Sequence, residues 1–346
     1  MHRTALKIAG LILLGSSVLL NAQTTNAHYK IAHKFPVNGD GEWDYISVDE
    51  TSARLFVSHS SVVQVLDEKT GDTVGTIPDT KGVHGVATAP DLNKGFTSNG
   101  KDDSVTIFDL KTLAVQAKIP VTGKNPDAII YDPFSKKIFT CNGDSANATV
   151  MDAMSNDVIA TIALAGKPEF PAVDGKGNLF VNIEDKNTLC RINTTTLKVE
   201  QTWPLAPGEE PAGLAIDVAG HRLFSVCHNK LMLVMDSQSG KVVTFLPIGE
   251  RVDGAGYDPT KKRAYSSNGD GTLTVVQDDG NDKYSVLANV PTQRGARTMV
   301  VDTKTHHIFL PTAEFGPAPE PTAANPRPRP AVKPGTFVIL DVVPLD

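Results

Sequence analysis

The stretch YDPTKKRAYSSNGD (residues 257–270) is an edited copy of YDPFSKKIFTCNGD (residues 131–144). The copies start 126 residues apart, which is three steps of 42. A line of similar design recurs through the chain: a polar residue, a short apolar run, then Asp or Asp-Pro. It starts at Asp44, His84, Asp127, Glu169, Ala212, Asp253 and Arg297, at intervals of 40, 43, 42, 43, 41 and 44 residues. A fixed period of this length means stacked supersecondary units, none able to bury its apolar face alone.

Each unit goes on to a second run ending at an equivalent point, as in LFVSH, GFTSN, IFTCN and AYSSN. A third run follows (VVQVLD, VTIFD, ATVMD, LMLVMD), then a fourth in most units. Alternating residue character and β-branched residues mark these runs as strands. Prolines and the period of two weigh against helical tandem repeats. Gly (28) and Pro (23) suit many short strands joined by turns. The expected fold is all-β: a seven-bladed β-propeller with four antiparallel strands per blade. The seventh unit stops after its third strand (336–342), while an orphan strand, YKIAHKFPV, opens the body at residue 29. That strand is expected to complete the last blade and remove two free sheet edges.

Residues 1–22 read as a secretory signal peptide: Arg3 and Lys7, then the apolar core IAGLILLGSSVLL, with cleavage expected near Ala22. An export route to the periplasm or outside the cell follows, with no stable membrane insertion afterwards. Residues 23–346 form one domain. A Pro-rich insertion, 314–335, interrupts the last blade and is expected as a semi-extended segment, either disordered or a flap over the ring face. Without Arg3 and Lys7 the body carries 31 basic and 39 acidic residues. That balance argues against nucleic acid as a partner. Three cysteines (Cys141, Cys190, Cys227) leave at least one outside any intramolecular disulfide, and the sequence does not choose a pair.

The tetrapeptides FTSN, FTCN and YSSN, with the Asp-Pro turns and the D-x-x-T/S after the third strand, resemble the YVTN-repeat propellers. The nearest resemblance is to the exported YncE-like group of that family. It spans essentially the whole mature chain and is specific for fold. Related propellers include lactonases and ligand-binding or scaffold proteins; a small-molecule substrate or ligand and a monomer are the expectation.

In a propeller the start of each inner strand and the end of each second strand share one face. Asp44, His84, Asp127, Glu169, Ala212, Asp253 and Arg297 are therefore expected to converge there. His59, Asn99, Asn142, Ile183, Cys227 and Asn268 should lie nearby, with Glu184, His228 and Glu314 just beyond. Six of the seven inner positions are ionisable. Oxygens from Asp44, Asp127, Glu169, Asp253, Asn142 and Asn268 suit a divalent metal, foremost Ca²⁺. The histidines would admit Zn²⁺. Without a cation the carboxylates should raise one another's pKa values.

Two functions follow as expectations. One is a metal-assisted hydrolase of a small lactone or ester, with His84 or His59 as general base and Arg297 holding an anionic group. The other is a propeller that binds a ligand, metal or partner without turnover. The plain structural reading of the Asn-Gly pairs at 142–143 and 268–269 is a tight turn. No G-x-S-x-G, H-E-x-x-H, P-loop or CxxCH stands in the chain.

Overall fold

The structure, a computed structural model, describes residues 28–39, 41–320, 322, 328 and 330–346. The expected signal segment and its cleavage point lie outside the described residues, as does part of the Pro-rich insertion. The described residues form seven four-stranded antiparallel sheets. Six are built from four consecutive strands each. In the seventh, Tyr29–Pro36 pairs with Val338–Pro344 as the outermost strand. The ring is a seven-bladed β-propeller, closed by its own N-terminal strand.

That seam is held beyond the strand ladder. Arg263 of blade six grips both oxygens of Asp346 at 2.8 and 2.6 Å. It also donates to the Tyr29 hydroxyl at 3.0 Å, itself 3.0 Å from the Tyr265 hydroxyl. The end of the pair where Tyr29 meets the C-terminal residues is thereby tied to the neighbouring blade. Blades pack through the large side chains of their middle strands. Phe56, Phe96, Phe139, Phe180, Phe224, Tyr265 and Phe309 are all fully buried at matching positions of the second strands.

The repeated motifs have structural explanations. The Tyr of each YDP turn bonds the turn aspartate of the preceding blade: Tyr131 to Asp91 at 3.0 Å and Tyr257 to Asp217 at 3.1 Å. The Asp ending the third strand accepts two backbone N–H groups of its own turn, as Asp109 does from Lys111 and Thr112 at 3.0 and 2.7 Å. The Asn ending the second strand is a knot between strands. Asn268 accepts from Ser266 Oγ at 2.8 Å and donates to Thr272 and Thr274 at 3.0 Å each. Asn142 does the same with Thr140 (3.1 Å), Asn147 (2.7 Å) and Thr149 (2.9 Å), and Asn99 with Thr97, Ser104 and Thr106.

All three cysteines are free and buried. They pack as small apolar side chains within the blades, as burial of a lone thiol favours. The Pro-rich insertion leaves the ring as two paired arms. Gly316 N donates to Ala331 O and Lys333 N to Glu314 O, both at 2.8 Å, and Phe315 bridges Val332.

Because Asn268 is fully buried with every polar atom engaged, Asn268→Ala should lower unfolding free energy by about 1–3 kcal/mol. A denaturant or thermal melt checks this. A melt unchanged from the parent would contradict the structural role given to the asparagine.

Candidate functional site at the channel mouth

The ring residues stand where they do because of a bulge. In blades two to six the inner strands begin at Val83, Pro126, Pro168, Pro211 and Val252, and the register shifts just beyond each of these residues. The second residue of each strand is the ring residue: His84, Asp127, Glu169, Ala212 and Asp253. One extra residue breaks the alternation and re-aims side chains at a strand end. Asp44 and Arg297 occupy the matching places just ahead of the shorter inner strands Ile46–Asp49 and Val300–Val301.

Hydroxyls one residue before the second-strand ends hold the bulged backbone. Ser98 Oγ accepts from Gly85 N at 3.0 Å and donates to the Asp127 carbonyl of the next blade. Ser267 Oγ bonds the carbonyls of Gly254 (3.3 Å) and Arg297 (2.5 Å). Ser58 Oγ accepts from Asp44 N and donates to Tyr45 O, each at 2.9 Å. Thr298 Oγ1 closes the circuit on the Asp44 carbonyl at 2.7 Å.

The side chains meet in one network. His84 Nδ1 lies 2.6 Å from Asp44 Oδ2 and 3.6 Å from Asp127 Oδ1. On the other side of the ring, His84 Nε2 faces Asn125 Oδ1 at 3.3 Å. Arg297 spans two carboxylates, 3.2 Å from Asp44 Oδ1 and 2.7 Å from Asp253 Oδ2. Lys167 pairs with Glu169 at 2.7 Å and with Glu184. Asp127 Oδ1 is buried and accepts no hydrogen bond. The ligand atoms of Asp44, His84 and Asp127 all lie within 4.8 Å of one another.

Tyr45 forms part of the floor. It is buried, its ring meets Phe170 of blade four edge-on at 5.3 Å, and its backbone N–H donates to His84 O at 3.0 Å. This contact joins a blade-one side chain to blade four across the ring.

Carboxylates outnumber cations here: Asp44, Asp127, Glu169, Glu184 and Asp253 face His84, Lys167 and Arg297. Burial, then the charge of Asp44, pushes the Asp127 carboxyl up to about 7. Burial, then Asp127, pushes Glu169 up to about 8, against the pull of Lys167. Burial also raises Asp253, although Arg297 opposes it. For His84 burial resists charging, but the bond to Asp44 and the charge of Asp127 win and hold it at about 9. Burial and the four surrounding carboxylates keep the Tyr45 hydroxyl protonated.

Of the residues singled out in sequence, the ring set Asp44, His84, Asp127, Asp253 and Arg297 is brought together, with Glu169 beside it on Lys167. Asn142 and Asn268 are not free to join; every polar atom of each is used inside its blade. His59 stands apart from the cluster. It is buried beneath the segment at Gly39, tilted at 43° against Phe337 with ring centroids 4.7 Å apart, and Gln64 lies 3.3 Å from its Nδ1. The chain entering blade one covers that strand end, which the repeat alone does not announce. Glu314 pairs with Lys333 at the base of the insertion. Sequence reasoning passed over Lys167, Asn125 and Tyr45. The signal for two of them was their offset: each lies two residues before a ring position.

No family model matches the chain. Over 91 residues it is 32% identical to Antigen Lp49 of Leptospira interrogans, a match that takes in 25% of this chain and only 20% of that protein's length. In fold it is similar to Kuenenia stuttgartiensis hydrazine synthase (TM-score 0.70, 17% identity, 79% of this chain and 94% of that one). It is also similar to U3-55K (TM-score 0.74, 7% identity, 91% of this chain and 98% of that one). At these identities the structural likeness shows the propeller fold alone.

The raised groups set the pH dependence of stability. Asp127 and Glu169 hold protons in the folded protein that the unfolded chain has lost, so their contribution is complete below their ordinary values of 3.8 and 4.5 and fades as pH rises through about 7 and about 8. The contribution of His84 is complete below 6.5 and is lost as pH rises through about 9. The metal-free protein should therefore melt at a lower temperature at alkaline pH than at mildly acid pH, and Asp127→Asn should flatten the slope. Calorimetry across this range checks it; a stability that rises toward alkaline pH would contradict it.

Proposed function

We propose that the protein is an exported propeller that hydrolyses a small lactone or ester at its channel mouth, with a divalent cation held by Asp44, His84 and Asp127. The observation that carries this reading is Asp127 Oδ1, which accepts no hydrogen bond and lies 3.6 Å from His84 Nδ1, with ligand atoms of Asp44, His84 and Asp127 all within 4.8 Å in a mouth with surplus carboxylate. A cation there would relieve the repulsion that raises Asp127. The donor set, one imidazole and two carboxylates, favours a Zn²⁺-type ion over Ca²⁺, which takes six or more oxygens. With Asn142 and Asn268 engaged elsewhere, the oxygens for a Ca²⁺ cage are lacking.

When bound, such an ion would polarise the ester carbonyl and acidify a water. The protein's own groups set the rest. His84, at about 9, is charged at neutral pH in the metal-free protein and is a poor base. Glu169 lies next to the cluster; burial raises it to about 8, so it is largely protonated at neutral pH in the metal-free protein, and a bound cation nearby would lower it toward the range a general base requires. Arg297 is committed to Asp44 and Asp253, so its work is to orient Asp44 rather than to clamp an anion. The YVTN-type tetrapeptides and the resemblance to the YncE-like group support the hydrolase reading, since related propellers include lactonases. The leader-like residues 1–22 support export, and the acidic body supports a partner other than nucleic acid.

A second reading, a monomeric propeller that binds a ligand without turnover, is favoured by one feature. Both Lys167 and Arg297 are already neutralised by carboxylates, which leaves neither free for an anionic substrate.

Metal analysis of the purified mature protein, followed by a lactone and ester panel with and without EDTA, tests the two readings. The hydrolase reading predicts about one transition-metal ion per chain and turnover that EDTA, His84→Ala and Glu169→Gln each reduce by about 100-fold or more. Metal uptake should release protons, because a ligating imidazole must be neutral. Turnover insensitive to both EDTA and His84→Ala would overturn the mechanism, and saturable ligand binding with no turnover would favour the second reading.

A further inference from the structure

Asn125 belongs to no part of the reading above, yet among the described residues it and Asp44 are the side chains hydrogen-bonded to the His84 ring. It ends the loop ahead of the third inner strand, with φ of +52°, the left-handed region. Its backbone N–H donates to Asp103 Oδ1 at 2.9 Å, which fixes the loop. Equivalent residues Glu210 and Arg251, each also just ahead of an inner strand, adopt the same backbone. Asn tolerates that conformation better than most residues, which alone would explain its presence. The side chain goes further. Asn125 Oδ1 sits 3.3 Å from His84 Nε2, across the ring from the 2.6 Å contact between Nδ1 and Asp44.

The neighbouring backbone is shaped to allow this. A Cβ on Gly100 would fall 2.4 Å from Asn125 Oδ1 and 2.5 Å from His84 Nε2. Gly100 is not in a left-handed conformation, so its lack of a side chain is explained by this close approach and not by backbone strain.

We infer that Asn125 is a positioning residue: its side-chain oxygen accepts the Nε2–H of His84 and holds the imidazole with Nδ1 turned to Asp44 and Asp127. A histidine that binds a metal through one nitrogen is commonly oriented by an acceptor on the other, and loss of that acceptor costs about 10- to 100-fold in metal affinity. This consequence for affinity rests on the metal reading of the mouth; the orientation of the ring does not.

The test uses Asn125→Gly, which keeps the left-handed backbone and removes only the acceptor. Asn125→Asp restores an oxygen at the same reach, and Gly100→Ala pushes the pair apart from the other side. The first readout is the Nε2–H signal of His84 in ¹⁵N-histidine spectra of the metal-free protein at neutral pH, assigned with His84→Gln. The second is the Zn²⁺ dissociation constant by competition with a chelating dye. The signal should be sheltered from exchange with water in the parent and in Asn125→Asp, and lost in Asn125→Gly and weakened in Gly100→Ala. Zn²⁺ binding should weaken about 10- to 100-fold in Asn125→Gly. An unchanged Nε2–H signal in Asn125→Gly overturns the inference, whatever happens to Zn²⁺. A signal present in the parent and lost in Asn125→Gly, in a protein that binds no Zn²⁺, supports the positioning role and removes the metal reading instead; a signal absent from the parent overturns the inference.

Discussion

The mouth of this ring depends on a one-residue bulge at the start of the inner strands. Without it, strict alternation would fix the facing of His84, Asp127, Glu169 and Asp253 by strand register alone. The bulge lets the second residue of the strand be re-aimed while the rest of the strand keeps its apolar contacts. Its backbone is then pinned by Ser58, Ser98 and Ser267, which reach across to the same or the next blade. Architecture and site are thus one network: the groups that join blades also fix the carbonyls of Asp127 and Arg297.

The fold was legible because its signal is periodic. Strand ends at His59, Asn99, Asn142, Ile183, Cys227 and Asn268 coincide with the ends expected from the repeat. Closure of blade seven by residues 29–36 could be read from a strand missing at one end of the chain and spare at the other. The ring positions were legible for the same reason, since a residue's place in the period fixes its place around the axis. What the period cannot carry is where a polar side chain spends its hydrogen bonds. Asn142 and Asn268 offer the same oxygens to a metal or to a hydroxyl. Only the Thr or Ser two residues earlier hinted that the hydroxyl would win. His59 was out of reach for another reason: a chain segment from outside the repeat, at Gly39, lies over it.

The electrostatics of the mouth turn on a mismatch that the blades enforce. Rigid strands hold five carboxylates close to three cations, and partial burial limits their access to water. Arg297 and Lys167 each bridge two acids, which accounts for most of the charge. Asp127 is left with a buried oxygen that accepts nothing. In the metal-free protein burial and Asp44 raise its affinity for a proton, to about 7; a cation would meet the same need by coordination. The two resolutions compete, so occupancy of the mouth and pH are coupled through the same carboxylate.

The most direct test of that account is a crystal of the mature protein soaked with Zn²⁺ at neutral pH, with anomalous data collected at the zinc edge. The account predicts one strong peak at the channel mouth, about 2.0–2.2 Å from His84 Nδ1 and from oxygens of Asp44 and Asp127. An empty mouth alongside zinc bound elsewhere, with Asp44 still hydrogen-bonded to His84, would contradict it.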